Sequence, residues 1–120
     1  MANFDADTLD ALRAAREIAI RTDRHPDKVV PIWVVVADDK VFVRSVYGTR
    51  GRWYRDLAES GLATLVVTGR RVPVHAVPER EAPAIAAASE AYLQKYGLSF
   101  YAQAMVKPEV LAHTLRLEPQ

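Results

Sequence analysis

Alternating and continuous apolar runs along the chain predict about six short strands. One alternating run has Ile18 and Ile20 on the same side, so we expect that face of the strand to be buried. A longer run, Val29–Ala37, is apolar on both faces, which predicts a central strand covered on each side. The predicted strands are Glu17–Thr22, Val29–Ala37, Lys40–Tyr47, Ala63–Thr68, Arg71–Val77 and His113–Leu117.

Turn-forming residues between these runs predict antiparallel hairpins. Asp38-Asp39 and Gly69-Arg70 each separate two strands by two residues, a spacing typical of tight turns. Pro73 has no backbone N–H to donate, so we expect its strand to lie at an edge or to carry a bulge.

Apolar residues at three-to-four spacing predict the helices. Gly61 and Gly97 mark the ends of two of them. Over Leu98–Val106 the pattern is ambiguous, and extended chain is our expectation there. The predicted helices are Thr8–Arg16 with Asp7 as its N-cap, Arg52–Ser60, Glu79–Tyr96 and a single helical turn at Pro108–Leu111.

Together these elements predict a mainly β fold with α-helices. Helical crossovers are too few for a doubly wound parallel sheet, and short antiparallel strands around an apolar centre favour a closed sheet. We therefore expect an antiparallel β-barrel of about six strands with two or three flanking helices. Residues 1–120 are expected to form a single domain.

Composition and charge narrow the possible partners. The net charge of +1 gives no overall attraction to nucleic acid or to an acidic membrane, so any anion site must be local. The chain has no cysteine, which excludes disulfides, thiol catalysis and thiolate-bound metals. Its start, M-A-N-F-D-A-D, lacks the basic and apolar blocks of a signal peptide. We expect a cytoplasmic protein without nucleic-acid or membrane partners.

The stretch from Val41 to Trp53 predicts an anion-binding site. It reads V-F-V-R-S-V-Y-G-T-R-G-R-W, a strand followed by a loop containing glycines and arginines and then by the start of a helix. Glycine permits close approach of the backbone, a helix N-terminus presents free N–H groups, and arginine forks match phosphate oxygens. This order favours phosphate binding. The alternative is that the arginines are solvated surface charges around a turn.

Other chemistry has less support in the sequence. The loop is neither a Walker motif nor G-x-G-x-x-G, which argues against an NTPase or a Rossmann site. His25, His75 and His113 show no metal-ligand spacing, and there is no G-x-S-x-G motif. We therefore predict no metal ligand and no catalytic side chain. Aromatic residues near the loop are either core packing or an apolar wall for a conjugated ring beside the phosphate.

Three stretches of the chain resemble a bacterial family. They are P-I-W-V-V-V (Pro31–Val36), V-F-V-R-S-V-Y-G-T-R-G-R-W-Y-R (Val41–Arg55) and T-L-R-L-E-P (Thr114–Pro119). This family of small uncharacterised domains is placed with the split-barrel flavin-binding proteins, alongside the pyridoxamine-phosphate-oxidase-like and deazaflavin-dependent nitroreductase groups. The resemblance implies a six-stranded antiparallel split β-barrel that forms a homodimer, with a cofactor at the subunit interface.

The same resemblance implies a function and its residues. The protein would be a nitroreductase-like oxidoreductase that binds FMN or a deazaflavin together with a small-molecule substrate. In these relatives a lysine near the loop usually contacts the phosphate, and this chain lacks it. The alternative is therefore a dimeric split-barrel binding module without a cofactor. The implied residues are Arg44, Ser45, Thr49, Arg50 and Arg52 at the phosphate, Gly48 and Gly51 at the approaching backbone, and Trp33 and Trp53 beside the ring.

Overall fold

Seven strands form one antiparallel sheet in the computed structural model, which describes residues 3–47, 50–97 and 99–120. The strands are β1 (Ile18–Thr22), β2 (Val30–Ile32), β3 (Val34–Ala37), β4 (Lys40–Arg44), β5 (Leu62–Val67), β6 (Arg70–Pro78) and β7 (Thr114–Pro119). The helices within these residues are α1 (Ala6–Ala14), α2 (Arg52–Ser60), α3 (Ala82–Tyr96), α4 (Phe100–Ala104) and α5 (Pro108–Leu111). Among these helices, none has the length and apolar character needed to cross a membrane.

One stretch of chain closes the sheet into a barrel. The strand order is β2-β1-β5-β6-β7-β4-β3, and its two edge strands are consecutive in sequence, with only Trp33 between them. β2 pairs with β1 whereas β3 pairs with β4, so the chain passes from one edge of the sheet to the other at Trp33. We call this point the seam. The predicted strand Val29–Ala37 is therefore two strands, which makes seven rather than six, and the split-barrel class is confirmed.

The closing stretch and β4 separate two layers of the core. Val34 and Val43 belong to a buried cluster inside the barrel. Val35 and Phe42 point to the other face and pack with Tyr92 of α3 in a second cluster outside the barrel. Each such buried side chain contributes roughly 1.5–3 kcal/mol of hydrophobic stabilisation. The prediction that both faces are covered is confirmed for β3, because α3 covers its outer face. The expectation of a central strand is wrong, because β2 and β3 are the two edges of the sheet.

Both predicted hairpin turns contain left-handed backbone. Asp38 and Asp39, between β3 and β4, have φ values of 51° and 60°. Thr68 and Gly69, between β5 and β6, have φ values of 46° and 78°. Turns with two left-handed residues match the twist of antiparallel strands. The second turn lies one residue earlier than the predicted pair Gly69-Arg70.

Helix ends follow the capping residues. α2 has the predicted bounds, and Gly61 after it has a φ of 75°. α3 ends immediately before Gly97, as predicted. α1 begins earlier than predicted because Asp5, not Asp7, is its N-cap, with Oδ1 accepting a hydrogen bond from the Thr8 N–H at 2.7 Å.

The expectation of extended chain over Leu98–Val106 is wrong, since α4 lies within this range. Ser99 is its N-cap, and the hydroxyl accepts from the Ala102 N–H at 3.2 Å. Ala102 and Met105 are both buried. Their spacing of three residues, after a serine cap, was a helical signal in the sequence.

Pro73 lies in an inner strand, β6, so the expectation of an edge strand is wrong. Pairing of β6 with β7 begins one residue later, at Val74 opposite Pro119. The Pro73 carbonyl accepts from the N–H of Gln120 at 3.3 Å, beyond the end of β7. Because the N and C=O of one residue face the same side of a strand, the missing N–H also faces this side. No ladder hydrogen bond is lost there.

Candidate functional site

A cavity of about 340 Å³ opens at the seam of the barrel. Its wall comes from the seam, from the end of β4 and the residues after it, from the start of α2, and from α4 with the residue that follows it. This volume is at the lower end of the range for small-molecule sites. Four residues of the predicted site line it, namely Trp33, Arg44, Ser45 and Trp53. The fold therefore brings together side chains that the sequence places in separate elements.

Arg44, the last residue of β4, is only 1% exposed. Its Nε donates to Thr114 Oγ1 at 2.8 Å, and its Nη1 donates to Ser89 Oγ at 2.8 Å. Nη1 also donates to the Met105 carbonyl at 3.0 Å, and Nη2 donates to the Ile85 carbonyl at 2.8 Å. The guanidinium thereby joins β4 to β7, to α3 and to the end of α4.

All four of these partners are neutral, and no carboxylate in the described residues pairs with Arg44. Its Cζ lies 5.6 Å from the centre of the Tyr92 ring. Burial lowers the pKa of Arg44 because the charged form loses hydration, yet arginine stays protonated at physiological pH. A buried cation beside a cavity, without a counter-ion, favours an anionic ligand.

Both tryptophans of the chain lie at this cavity. Trp33 stacks on Tyr96 of α3, with centroids 3.9 Å apart and planes at 4°. The Tyr96 hydroxyl donates to the Arg16 carbonyl at 2.7 Å, and burial raises its pKa to about 12, so it remains a donor at neutral pH. Trp53, in the first turn of α2, makes an edge contact with Tyr54 at 6.2 Å. The two indoles are thus held against the barrel by packed neighbours.

Two predicted arginines lie away from the cavity. Arg50 and Arg52 are exposed, and neither lines it. Arg52 instead borders a much smaller pocket with His25 and Asp56. Ser45, by contrast, is buried and lines the main cavity.

Of the two predicted glycines, Gly51 lies within the described residues and Gly48 does not. Gly51 is the N-cap of α2 with a φ of −74°, an extended conformation that any residue adopts. The backbone conformation at Gly51 therefore does not require glycine. Gly48 and Thr49 lie outside the described residues, and their predicted contacts with phosphate stay predictions.

Sequence reasoning missed part of the wall. Tyr101 of α4 and Met105 after it line the cavity, as do Glu17 and Tyr47. Tyr47 and Tyr101 are 66% and 69% exposed and lie at the rim. A correct helix prediction from the Ser99 cap would have indicated that Tyr101 and Met105 share a rigid element. No signal in the sequence pointed to Glu17.

A separate polar cluster connects the loop after β1 to α2. His25 Nδ1 and Asp56 Oδ2 are 2.5 Å apart, and Thr22 Oγ1 donates to the same carboxylate oxygen at 3.1 Å. Asp56 is buried, whereas the His25 side chain is 43% exposed. Among the described residues, no three His, Cys, Asp or Glu side chains converge as a metal site. We assign this cluster a role in anchoring the loop.

Most of the chain matches one protein-family model. Residues 8–117 match the family model DUF2255, described as an uncharacterized protein conserved in bacteria. The chain belongs to the DUF2255 family. A search of the curated proteins found no match.

Solved structures share the fold of this DUF2255 protein. A conserved hypothetical protein from Mycobacterium tuberculosis is 12% identical, with a TM-score of 0.62 covering 98% of this chain and 79% of that one. HutZ, the heme storage protein from Vibrio cholerae, is 14% identical, with a TM-score of 0.64 over 96% and 89%. A NimC/NimA family protein from Clostridium acetobutylicum is 11% identical, with a TM-score of 0.64 over 95% and 78%. At these identities the likeness establishes the split-barrel fold alone.

Proposed function

We propose that this DUF2255 protein binds FMN or a deazaflavin in the cavity at the seam and acts as a nitroreductase-like oxidoreductase. The observation that carries the proposal is the buried guanidinium of Arg44, without a carboxylate partner in the described residues, beside two indole rings. A planar ring suits the indole wall and an anionic tail suits the cation.

The start of α2 supports the anionic end of this ligand. Its second residue, Trp53, lines the cavity, and Gly51 gives the helix no side-chain cap. Arg52 begins the helix, and no acidic residue lies in its first turn. Free N–H groups and the positive end of the helix dipole favour phosphate at such a position.

The protein's own residues would bind and orient the ring. When bound, the cofactor supplies the hydride chemistry, and the protein contributes binding, electrostatics and exclusion of water. Trp33, fixed by Tyr96, offers a rigid flat surface. Tyr47 and Tyr101 at the open rim suit coverage by a second copy of the chain, so we propose that the active form is a homodimer.

Titration with FMN and with a deazaflavin tests the proposal directly. Because both tryptophans lie at the cavity, binding should quench the intrinsic fluorescence of Trp33 and Trp53. Trp33→Phe and Trp53→Phe should each remove part of that signal. Absence of binding by both cofactors below millimolar concentration overturns the proposal.

Hemin is the third ligand in this titration, since HutZ is a heme storage protein. None of the three histidines, all within the described residues, lines the cavity. We therefore expect FMN or a deazaflavin to bind more tightly than hemin. Preference for hemin, with a Soret band shifted on binding, contradicts it.

A second candidate function is that of a dimeric split-barrel binding module without a cofactor. The observation in its favour is that Arg44 already makes four hydrogen bonds within the protein. Three results together would support this function. The protein as isolated would be colourless, heating it would release no small molecule detectable by mass spectrometry, and neither cofactor would bind in the titrations.

A further inference from the structure

Extending the two strand registers at the seam by one residue each places Trp33 between Glu17 and Arg44. In the β1–β2 pair, Ile18 lies opposite Ile32, so Glu17 is the next residue in register and falls beside Trp33. In the β3–β4 pair, Val34 lies opposite Val43, so Arg44 falls beside Trp33 on the other side. Glu17, Trp33 and Arg44 therefore lie side by side across the neighbouring strands, and we call these three residues the row.

The side chains of this row share one face of the sheet. Val34 and Val43 belong to the cluster inside the barrel, and residues next to them in a strand point outward. Trp33 accordingly packs against the outer cluster. Glu17 precedes the inward-facing Ile18, so it also lies on the outer face. All three residues of the row line the cavity.

The ends of this row are far enough apart for a planar ring to lie along Trp33, with one edge at Glu17 and the anionic tail directed to Arg44. Directly opposed residues on neighbouring strands have Cα atoms roughly 5 Å apart, so Glu17 and Arg44 are separated by roughly 10 Å of backbone, with Trp33 between them. The Glu17 carboxylate makes no hydrogen bond or ion pair with any described residue. An exposed glutamate is usually a solvated charge, and its place at the end of this row distinguishes Glu17.

We infer that Glu17 is the specificity-determining residue of the site and accepts a hydrogen bond from the N–H donor on the edge of the ring. This inference rests on the proposed function. Flavins and deazaflavins carry one ring N–H, at N3, between two carbonyl groups at the edge remote from the dimethyl or phenolic edge. A carboxylate can only accept at neutral pH, so it matches this donor and discriminates against planar ligands without one.

N3-methylated FMN is the probe that isolates this contact. Wild-type protein should bind it about tenfold more weakly than FMN, because one charge-assisted hydrogen bond is lost. Glu17→Ala should weaken FMN by a similar factor and leave N3-methyl-FMN nearly unchanged. Glu17→Gln, whose amide oxygen still accepts, should recover part of the affinity. Glu90→Gln, an exposed change on α3 away from the cavity, is the matched control.

The outcomes separate the inference from the proposed function. FMN binding that is equally tight in wild type and in Glu17→Ala overturns the inference and leaves the proposed function standing. An equal loss of FMN and N3-methyl-FMN in Glu17→Ala also overturns it, because the effect would not depend on the donor. Failure of the wild type to bind FMN and deazaflavin overturns both.

Discussion

Arg44 is the largest fully buried side chain among the described residues, and it joins the sheet to the helices that pack on its outer face. It satisfies acceptors on three different elements while buried, so its removal leaves a cavity and unpaired polar groups. We expect Arg44→Met to lower the free energy of unfolding by about 2–4 kcal/mol. Chemical denaturation measures this change.

Arg50→Met is the matched control for that variant. Arg50 is exposed, and its replacement should change the stability by less than about 0.5 kcal/mol. Equal effects of the two variants would show that the interior contacts of Arg44 contribute nothing beyond those of a surface arginine.

Lys95 introduces a pH dependence of stability. Its Nζ donates to the Leu12 carbonyl at 2.8 Å and to the Val34 carbonyl at 2.7 Å. Burial, with a smaller contribution from Arg16, lowers its pKa from 10.5 to about 8. Between these pH values the unfolded chain binds more protons than the folded one, so stability should rise with pH above about 8.

Buried tyrosines limit this rise at high pH. Burial raises the pKa values of Tyr92 and Tyr96, so the unfolded chain ionises first, above pH about 10, and stability then falls. Denaturant unfolding across pH 7–10 measures the free energy of unfolding. It should increase above pH about 8 in wild type and in the exposed control Lys107→Met, and should not increase in Lys95→Met. An increase that survives in Lys95→Met would assign the effect to another group.

At the scale of elements, the end of α2 depends on one glycine. Gly61 has a φ of 75°, and a Cβ there would lie 3.2 Å from the His75 ring. Gly69 has a φ of 78°, but apart from its two chain neighbours no described residue has an atom within 4 Å of its Cβ position. We expect Gly69→Ala to destabilise the protein by about 1–2 kcal/mol through backbone strain, and Gly61→Ala to cost more because the ring must also move.

A double variant separates strain from crowding at Gly61. Adding His75→Ala to Gly61→Ala should bring the loss in melting temperature close to that of Gly69→Ala. If His75→Ala does not relieve the loss, crowding by the ring is not its source.

The elements themselves were largely predictable, and for local reasons. Gly61 and Gly97 end helices because each has a positive φ of 75°, which glycine adopts without steric cost. Asp38 and Asp39 form a turn because short polar residues tolerate positive φ. α4 was missed although Ser99 caps it. The break of Val29–Ala37 into two strands had no local signal, because it depends on the chain changing its pairing partner.

At the scale of the whole molecule, exposed aromatic residues collect around the cavity. Tyr47 and Tyr101 form its rim, and Phe100, 79% exposed, contacts Tyr101 at 5.9 Å. Such residues are enriched in protein interfaces. We predict a homodimer through this rim, and Tyr101→Asp should shift sedimentation toward monomer. Val29→Asp, at an exposed apolar residue that does not line the cavity, should leave the dimer intact.

One experimental result would directly contradict the dimer prediction. Wild-type protein that sediments as a monomer at micromolar concentration, with and without FMN, removes it. A dimer that resists Tyr101→Asp but dissociates with Val29→Asp would place the interface elsewhere.

The amino-acid sequence by itself determined most strands, the hairpin turns, the bounds of α2 and α5 and the barrel class, because these depend on periodicity and on backbone preferences of a few adjacent residues. Only the tertiary structure decided the site. The partners of Arg44 lie 41 to 70 residues away from it in sequence, and Glu17 and Trp33 line the same cavity only because two strand registers converge at the seam. Such encounters follow from how the sheet closes, and no local pattern encodes that closure.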